Sequence, residues 1–310
     1  MAVSEISAGA AAAGWRSLLY VPTNVDKFVD KAPTSGADGI ILDLEDSVAP
    51  SAKAQAREIL PDRIAALAGA PPDILVRINA PWRLAIRDLE AAVRSGVSAI
   101  VCPKIKSPDH IRAIAEIVTE LEYEQDLAPG RIGLVALVET AQAFFRIDEI
   151  AQAEPRLVGV NLGTEDLAAE LGVDPADEGS GMLQAKLTTV MANRAAGLRP
   201  MGLAASMANF RDLDGLAEIA ARSRRMGFVG ATCIHPAQIP VLNRAFSPTE
   251  AETAWAHRAR QAFEAAIGSG SASVALDGAM IDTPVYERAL RILAQAERAP
   301  KSDQKEGRPA

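Results

Sequence analysis

Residues 39–50 have the sequence GIILDLEDSVAP, in which an unbroken apolar run passes directly into acidic residues. A continuous apolar run is typical of a strand covered on both faces, because a strand with one wet face alternates apolar and polar side chains. Asp43, Glu45 and Asp46 fall at the carboxyl end of this strand. The stretch therefore predicts a buried parallel strand whose end carries charged groups.

The same pattern recurs along the chain. Its eight apolar runs are Ser17–Val21, Gly39–Leu44, Ile74–Ile78, Ala99–Cys102, Ile132–Val138, Leu157–Leu162, Pro200–Ala204 and Phe228–Ile234. Helical patterns fill the intervals at Ala52–Leu67, Trp82–Arg94, Asp109–Leu121, Ala141–Ile150, Gly181–Ala196 and Leu213–Met226. Parallel strands require such crossovers, so the pattern predicts an α/β fold, a (β/α)8 TIM barrel. The alternative is an open doubly wound sheet, but no Gly-rich phosphate-binding motif follows the first run.

Two more helical stretches, Pro248–Ile267 and Pro284–Glu297, follow the eighth run, and the Gly- and Ser-rich link Gly268–Ser273 separates them. We expect residues 15–267 to form the barrel with its following helix. Residues 268–298 are expected to form a C-terminal helical extension that can pack on a neighbouring subunit as a lid. Residues 1–14 and 299–310 are predicted to be flexible tails.

Composition narrows the class of protein. The 310 residues are 49% apolar and 23% charged, which is ordinary for a globular protein, and the net charge of −8 argues against general nucleic-acid binding. The chain shows neither a signal peptide nor an apolar stretch long enough for a membrane span. Cys102 and Cys233 lie in apolar, strand-like surroundings, so we expect buried thiols rather than a disulfide. These features predict a cytoplasmic enzyme with no membrane partner.

Active sites of α/β barrels lie at the carboxyl ends of the strands. Glu139 and Asp166 follow neighbouring runs, so their carboxylates can converge, and two carboxylates without His or Cys suit Mg2+. The alternative is that they are acids favoured by helix N-termini. Arg77 points into the same opening and could clamp a carboxylate or a developing enolate oxygen. Its alternative role is that of a structural partner for Asp43 or Glu45.

Several motifs in this order resemble the citrate lyase β-subunit-like branch of the HpcH/HpaI aldolase superfamily. They are RSLLYVP from Arg16, LDLEDSV from Leu42, RIN from Arg77, PK from Pro103, the Glu139-Thr140 pair, GTEDLAAELG from Gly163, GFVGATCIHPAQI from Gly227, AFSPTEAE from Ala245 and LDGAMIDTP from Leu276. The resemblance implies a (β/α)8 barrel, a homotrimer or hexamer, and Mg2+ as cofactor. It also implies formation or cleavage of a carbon–carbon bond in malyl-, citramalyl- or citryl-CoA thioesters, although some relatives hydrolyse the thioester.

The resemblance also implies roles for single residues. Glu139 and Asp166 would bind Mg2+, with Glu139 thereby part of the catalytic centre. Arg77 would hold keto-acid or enolate oxygens, and backbone amides near Gly163 and Thr164 would receive the acid's carboxylate. Asp282 would act as acid/base from an adjacent subunit, although the same residue could instead cap the helix that begins near Pro284.

Coenzyme A would be a second part of the substrate. Arg16, Lys27, Lys31 and Lys104 could serve its phosphates, while ordinary surface solvation is the alternative for Lys27 and Lys31. His235 is expected to order the loop after the eighth run.

Three departures from the family pattern leave the substrate open: Thr23 replaces a frequent Gly, Gly202 a common Asp, and Ala231 a common Lys. The alternatives to the lyase are a metal-dependent aldolase acting on free 2-keto acids, a malyl-CoA-type thioesterase and a non-catalytic ligand-binding subunit.

Overall fold

The structure is a computed structural model that describes residues 14–69, 71–175, 182–206 and 209–298. The predicted tail 299–310 lies outside these ranges, as does the predicted tail 1–14 except for Gly14. The chain divides into two compact units, one ending at Asn243 and the other beginning at Arg244.

The first unit is built on a parallel sheet of seven strands in the order β6-β5-β4-β3-β2-β1-β7. The strands are β1 Ser17–Pro22, β2 Gly39–Asp43, β3 Asp73–Arg77, β4 Val97–Cys102, β5 Gly133–Val138, β6 Leu157–Leu162 and β7 Ala231–Cys233. Continuous registers, such as Leu18↔Gly39 to Pro22↔Asp43, align neighbouring strands. Because all these strands are parallel, their carboxyl ends share one edge of the sheet, and the residues that follow them gather there.

The predicted strand Pro200–Ala204 is not formed as such. Met201 makes a single parallel bridge with Gly230, and one bridge is too short a ladder to define a strand. The segment still contacts both edges of the sheet: Arg199 N donates to Val158 O at 3.0 Å, and Gly202 N donates to Gly230 O at 2.9 Å. The prediction of an α/β fold is therefore confirmed as a curled parallel sheet of seven strands, while eight regular strands were one too many.

One face of the sheet carries a shared apolar core. Each of the six strands from β1 to β6 contributes to this cluster, which identifies the face as the concave one. Its buried members are Trp15, Leu18, Ile41, Leu75, Ala99, Val101, Val135, Leu137, Val158 and Met201. Burial of a large aliphatic side chain contributes about 1.5–3 kcal/mol, so this cluster is a main source of the unit's stability.

The helices lie largely where the sequence predicts them. They are α1 Asp26–Lys31, α2 Lys53–Leu67, α3 Trp82–Ala92, α4 Pro108–Glu124, α5 Ala141–Phe144, α6 Ile147–Ala151, α7 Thr164–Leu171, α8 Met182–Ala195, α9 Leu213–Met226, α10 Ile239–Phe246, α11 Glu250–Gly268 and α12 Thr283–Arg298. The single helix expected over Ala141–Ile150 is divided into α5 and α6. Thr140 caps α5 by accepting a hydrogen bond from Ala143 N at 3.2 Å, which fixes the chain directly after Glu139.

The second unit contains α11, α12 and a short antiparallel hairpin, β8 Val274–Leu276 with β9 Ala279–Ile281. Asp277 and Gly278 form its turn with φ values of 51° and 80°, which suits the Asp-Gly pair. Phe263 of α11 and Leu293 of α12 belong to one apolar cluster with Ile281. Because of this packing, α11 groups with the extension, whereas the sequence placed it with the barrel.

Two further expectations concern the whole chain. No helix in the described residues is long and apolar enough to cross a membrane. Cys102 and Cys233 are buried and unpaired, so the prediction of buried thiols is confirmed. Burial raises the pKa of both thiols, which makes them poor nucleophiles.

Candidate active site

Glu139 directly follows β5 at the carboxyl edge of the sheet and is only 5% exposed. Its Oε2 is buried and has no hydrogen-bond partner among the residues that the structure describes. Burial, together with the negative charges of Glu45 and Asp166, raises the pKa of Glu139 to about 7, while Lys104 opposes the shift. A buried carboxylate oxygen with no partner is a strong candidate for a cation ligand.

The Glu139 side chain packs against Gly163, where the absence of a side chain leaves room for it. A Cβ at this position would lie 2.9 Å from Glu139 Cδ and 3.1 Å from Oε1, and closer still to Cγ. Gly163 N donates to Val138 O at 2.9 Å, which ties the start of α7 to the end of β5. The contact therefore requires glycine, a role that the sequence did not reveal.

Asp166 lies in the first turn of α7 and is exposed. Its charge raises the pKa of Glu139, so the two carboxylates lie within electrostatic range, as their positions after adjacent strands predict. The described residues contain no group of three or more His, Cys, Asp or Glu side chains placed to hold a metal. A buried carboxylate with an unpaired oxygen beside an exposed one fits Mg2+, which keeps several waters, better than a metal that needs a full set of protein ligands.

Arg77 lies at the same edge, but acidic side chains already contact it. Its Nε and one terminal nitrogen donate to the two oxygens of Asp43 at 2.7 Å each. The other terminal nitrogen lies 3.2 Å from Glu45 and 3.4 Å from Asp46. Arg77 is therefore the structural partner that the sequence offered as its alternative role, and only the nitrogen facing Glu45 and Asp46 could exchange its partner for a substrate.

The Asp43–Arg77 pair is charged over the whole physiological range. Burial alone would raise the pKa of Asp43, but the hydrogen bonds and charge of Arg77 hold it below its ordinary value. Burial would lower the pKa of Arg77, but the hydrogen bond to Asp43 and the negative charges nearby raise it. The bidentate pair therefore fixes the end of β3 to the end of β2.

Lys104 joins this cluster from the end of β4. Its backbone adopts a positive φ of 52°, and Nζ lies 3.4 Å from Glu45 Oε1. Burial raises the pKa of Glu45 above its ordinary value, although the charges of Arg77 and Lys104 oppose the shift. Glu45 thus stands between two cations, and the Lys104 side chain remains 42% exposed.

A network of hydrogen bonds from Lys53 and Asn79 positions the backbone of Glu45. Lys53 Nζ donates to Leu44 O at 3.1 Å, to Glu45 O at 2.9 Å and to Asn79 Oδ1 at 2.6 Å. Asn79 Nδ2 in turn donates to Leu44 O at 3.0 Å and to Asp88 at 2.6 Å. Through these contacts Asn79, which lies two residues after Arg77, supports the acidic loop that follows β2.

Tyr20 is a site residue for which the sequence gave no role. The Arg77 guanidinium lies 4.6 Å from the centre of its ring. Burial raises the pKa of Tyr20 to about 12, with the charges of Asp43, Glu45 and Glu139 adding to the shift and that of Arg77 opposing it. Its hydroxyl therefore remains protonated at neutral pH. Alternation within β1 places Tyr20 on the same face as Leu18, and this was the signal that could have identified it.

Arg16 does not join the cluster, so the expectation that it binds substrate there does not fit its position. It precedes β1 at the amino end, about 20 Å along the strand from the carboxyl edge. The side chain is 6% exposed and donates to both oxygens of Asp38, at 2.9 Å from Nε and 2.8 Å from a terminal nitrogen. Arg16 therefore supports the opposite end of the sheet.

The remaining predicted residues follow β1 or β7 in the chain. Thr23 is buried, and both its N and Oγ1 donate to Asp43 O, at 3.2 Å and 2.9 Å. His235 accepts a hydrogen bond from Ala237 N at 3.2 Å and stacks on Phe210, which orders the loop after β7. Lys27 and Lys31 are exposed on α1.

Asp282 belongs to the second unit. Its Oδ1 accepts a hydrogen bond from Val285 N at 3.2 Å at the start of α12. This is the helix-capping role that the sequence offered as the alternative to catalysis.

The fold and the site together define an α/β protein with an acidic centre at the carboxyl edge of a curled parallel sheet. Residues 16–236 match the model of the HpcH/HpaI aldolase/citrate lyase family. The chain belongs to this family, so the resemblance inferred from its motifs is confirmed.

Curated relatives cover most of the chain. Citrate lyase subunit beta of Escherichia coli is 34% identical over 285 residues, which is 91% of this chain and 93% of the relative. A (3S)-malyl-CoA thioesterase of Cereibacter sphaeroides is 36% identical over 286 residues, 91% of this chain and 95% of the relative. The chain is thus similar to both a lyase subunit and a thioesterase.

Solved structures share the fold. CitE from Mycobacterium tuberculosis in complex with magnesium, acetoacetate and coenzyme A matches with a TM-score of 0.72 and 33% identity, covering 93% of this chain and 99% of that one. The citrate lyase beta subunit of the same organism with oxaloacetate and magnesium matches with a TM-score of 0.62 and 32% identity, covering 77% and 99%. Magnesium is therefore a cofactor in homologous structures.

Proposed function

We propose that the protein is a Mg2+-dependent carbon–carbon lyase that cleaves or forms a 3-hydroxyacyl-CoA thioester of the malyl-CoA, citramalyl-CoA or citryl-CoA type. The observation that carries the proposal is Glu139, whose buried Oε2 has no partner among the described residues. The position of Asp166 within electrostatic range of it supports the same conclusion. The magnesium and coenzyme A complexes of the CitE homologue are consistent with it.

In this proposal Glu139 and Asp166 hold Mg2+. When bound, the ion supplies positive charge that polarises the oxygens of the substrate. Backbone amides at the start of α7, from Thr164 onward, receive the acid's carboxylate, since unpaired amides and the helix dipole favour an anion there. The amide of Gly163 does not take part, because it already donates to Val138 O. The Arg77 nitrogen that faces Glu45 and Asp46, together with Lys104, stabilises negative charge on the thioester side.

Cleavage requires two proton transfers and the movement of one electron pair. A base takes the proton of the substrate's hydroxyl group, and the carbon–carbon bond breaks as the new carbonyl forms. The electron pair of that bond passes to the thioester carbonyl oxygen, and the resulting enolate then takes a proton on carbon from an acid. Asp282 of a neighbouring subunit in a homotrimer or hexamer is the proposed acid/base, a role worth roughly 10²–10⁴-fold in rate.

A complete barrel is also part of this proposal. Residues 199–202 would occupy the position of the strand between β6 and β7. The hydrogen bonds of Arg199 N to Val158 O and of Val229 N to Pro200 O, both at 3.0 Å, support this position. So does Gly159, where a Cβ would lie 2.7 Å from Arg199 O.

The test is to incubate the protein and Mg2+ with malyl-CoA, citramalyl-CoA and citryl-CoA and to analyse the products by mass spectrometry. We expect a keto acid and a shortened acyl-CoA, with kcat/KM reduced at least 10³-fold in Glu139→Gln because Mg2+ is no longer held. Glu149→Gln, which changes an exposed carboxylate paired with Arg146, is the matched control and should keep full activity. Equal activity of the two variants would exclude Glu139 as the ligand.

Thioester hydrolysis is the second candidate, favoured by the 36% identity to a (3S)-malyl-CoA thioesterase. The same assay separates the two functions, because hydrolysis yields free coenzyme A and the intact hydroxy acid. Accumulation of these products alone would replace the lyase proposal with the thioesterase.

A further inference from the structure

Asn161 of β6 has a buried side chain that the mechanism above does not use. It pairs in register with Leu137 of β5, and Val135 pairs with Gly159. Side chains of paired residues lie on the same face of a parallel sheet, and Leu137 and Val135 belong to the concave-face cluster. The Asn161 side chain therefore points to the concave face of the sheet.

The carboxamide oxygen of Asn161 has no hydrogen-bond partner among the described residues. The residue is 7% exposed, and this oxygen is buried. Asn193, a second buried asparagine, behaves differently: its amide donates to Val160 O at 2.7 Å and accepts from Val160 N at 2.9 Å. Of these two asparagines, only Asn193 has an evident structural role.

The position of Asn161 relates it to the candidate active site. It precedes Gly163, the residue directly after β6, by two positions, so it lies about 6–7 Å deeper along the concave face. Gly163 is the residue against which Glu139 packs. Leu137, its partner in register, is aliphatic, so the carboxamide is a polar group on an apolar floor beneath the carboxylate centre.

An unpaired buried amide lowers stability unless a ligand completes its hydrogen bonds. A carboxamide offers one acceptor oxygen and two N–H donors, so it pairs with a hydroxyl, keto or carboxyl group but not with a methyl group. In the proposed function a small acid is held by its carboxylate at the start of α7, above this floor, so its other end can reach the carboxamide.

We propose that Asn161 is a specificity-determining residue that binds a polar substituent of the small acid below the cation centre. The inference rests on the proposed function, since it places the acid at Glu139 and Gly163. The substrate class that follows is an acid with a hydrogen-bonding group at the end remote from its metal-bound oxygens, rather than one that ends in an alkyl group.

The test compares two acids of nearly equal size, 3-hydroxypyruvate and 2-oxobutyrate, which differ by a hydroxyl in place of a methyl group. Their binding is measured by isothermal titration with saturating Mg2+ for the wild type, Asn161→Leu and Asn161→Ala. We expect the wild type to bind 3-hydroxypyruvate at least tenfold more tightly, because 2-oxobutyrate leaves the amide unpaired. Both variants should lose this preference while binding Mg2+ with unchanged affinity.

Thermal unfolding separates specificity from structural support. Asn161→Ala and Asn161→Leu should keep or raise Tm, since each removes an unpaired buried amide, whereas Asn193→Leu should lower Tm by several degrees. Asn161→Ala provides the same test if the leucine overfills the space. A wild type that binds both acids equally, or variants that keep its preference, would overturn the assignment of Asn161. A wild type that binds neither acid in the presence of Mg2+ would instead refute the proposed function, and this inference with it.

Discussion

At the scale of single residues, the carboxyl group of Glu139 titrates near neutrality. Burial and the charges of Glu45 and Asp166 raise its pKa from 4.5 to about 7. Between these values the folded protein holds a proton that the unfolded chain has released. In the absence of a cation, stability from this group is therefore fully present below about pH 4.5 and is lost as the pH rises through about 7.

The variant Glu139→Gln should therefore change stability in a pH-dependent way when divalent ions are removed. At pH 8 the wild type buries a charge that the variant lacks, so the variant should be more stable by up to roughly 3 kcal/mol. At pH 5 the folded wild type keeps its proton, and the difference should fall to about 1 kcal/mol or less. Urea denaturation with a chelator at both pH values measures this, with Glu149→Gln as control; a difference independent of pH would contradict the shifted pKa.

Single residues also show what sequence reasoning could and could not predict about the site. Positions after neighbouring strands predicted that Glu139 and Asp166 lie near one another, and the charge of Asp166 does raise the pKa of Glu139. The partners of Arg77 did not, because Asp43 and Glu45 were as plausible in sequence as a substrate. Tyr20 and Asn161 were missed because their importance depends on which face of a strand they occupy. Alternation groups Tyr20 with Leu18, but in a strand buried on both faces the apolar pattern does not show which face lies inside.

At the scale of elements, the end of β5 and the start of α7 meet at one close contact, that of Gly163 with the Glu139 side chain. Neither element can shift without moving the carboxylate. This contact makes the spacing of the two elements a determinant of cation binding.

Gly163→Ala should weaken Mg2+ binding at least tenfold, because the new Cβ displaces the Glu139 side chain from its position. Stability should fall by roughly 1–3 kcal/mol, the usual effect of overpacking. Isothermal titration with Mg2+ and thermal unfolding measure the two effects. Gly268→Ala, where a Cβ would meet nothing within 4 Å, is the control, and equal Mg2+ affinity in both variants would show that the Gly163 contact is not needed.

Elements also differ in how well the sequence predicted them. Leu157–Leu162 and Leu213–Met226 have the predicted bounds, because long apolar or amphipathic patterns identify buried strands and helices. The segment around Met201 is also apolar but makes only one bridge. Whether such a segment forms a full strand depends on its tertiary pairing and not on its local pattern. The hairpin of β8 and β9 was missed although Asp277-Gly278 is a strong turn signal, because its strands have only three residues each.

At the scale of the whole molecule, the carboxylate centre and Asp282 belong to different compact units of the chain. In the proposed function Asp282 acts as acid/base from a neighbouring copy, whereas its capping of α12 needs no partner. Asp282→Asn separates these roles, since asparagine caps a helix about as well as aspartate but cannot donate or accept the catalytic proton.

Asp282→Asn should lower kcat by roughly 10²–10⁴-fold with little change in Tm. Mixing this variant with Glu139→Gln and allowing subunits to exchange should restore activity in about a quarter of the sites, because each such site combines intact residues from two chains. Steady-state assays of the mixture measure the recovery. No recovery after proven exchange would place Asp282 in its own chain's site or outside catalysis. No recovery together with a drop in Tm would assign the residue to capping alone.

The carboxyl edge of the sheet gathers five acids, Asp43, Glu45, Asp46, Glu139 and Asp166, around the cations Arg77 and Lys104. When all are ionised, this edge of the sheet carries an excess of negative charge and repels the anionic acids that it is proposed to bind. A divalent ion would offset most of that excess, so its arrival makes the entry of an anion electrostatically favourable. The arrangement thus imposes an order of events, with the cation first and the acid second, and rejects free anions until the cation is in place.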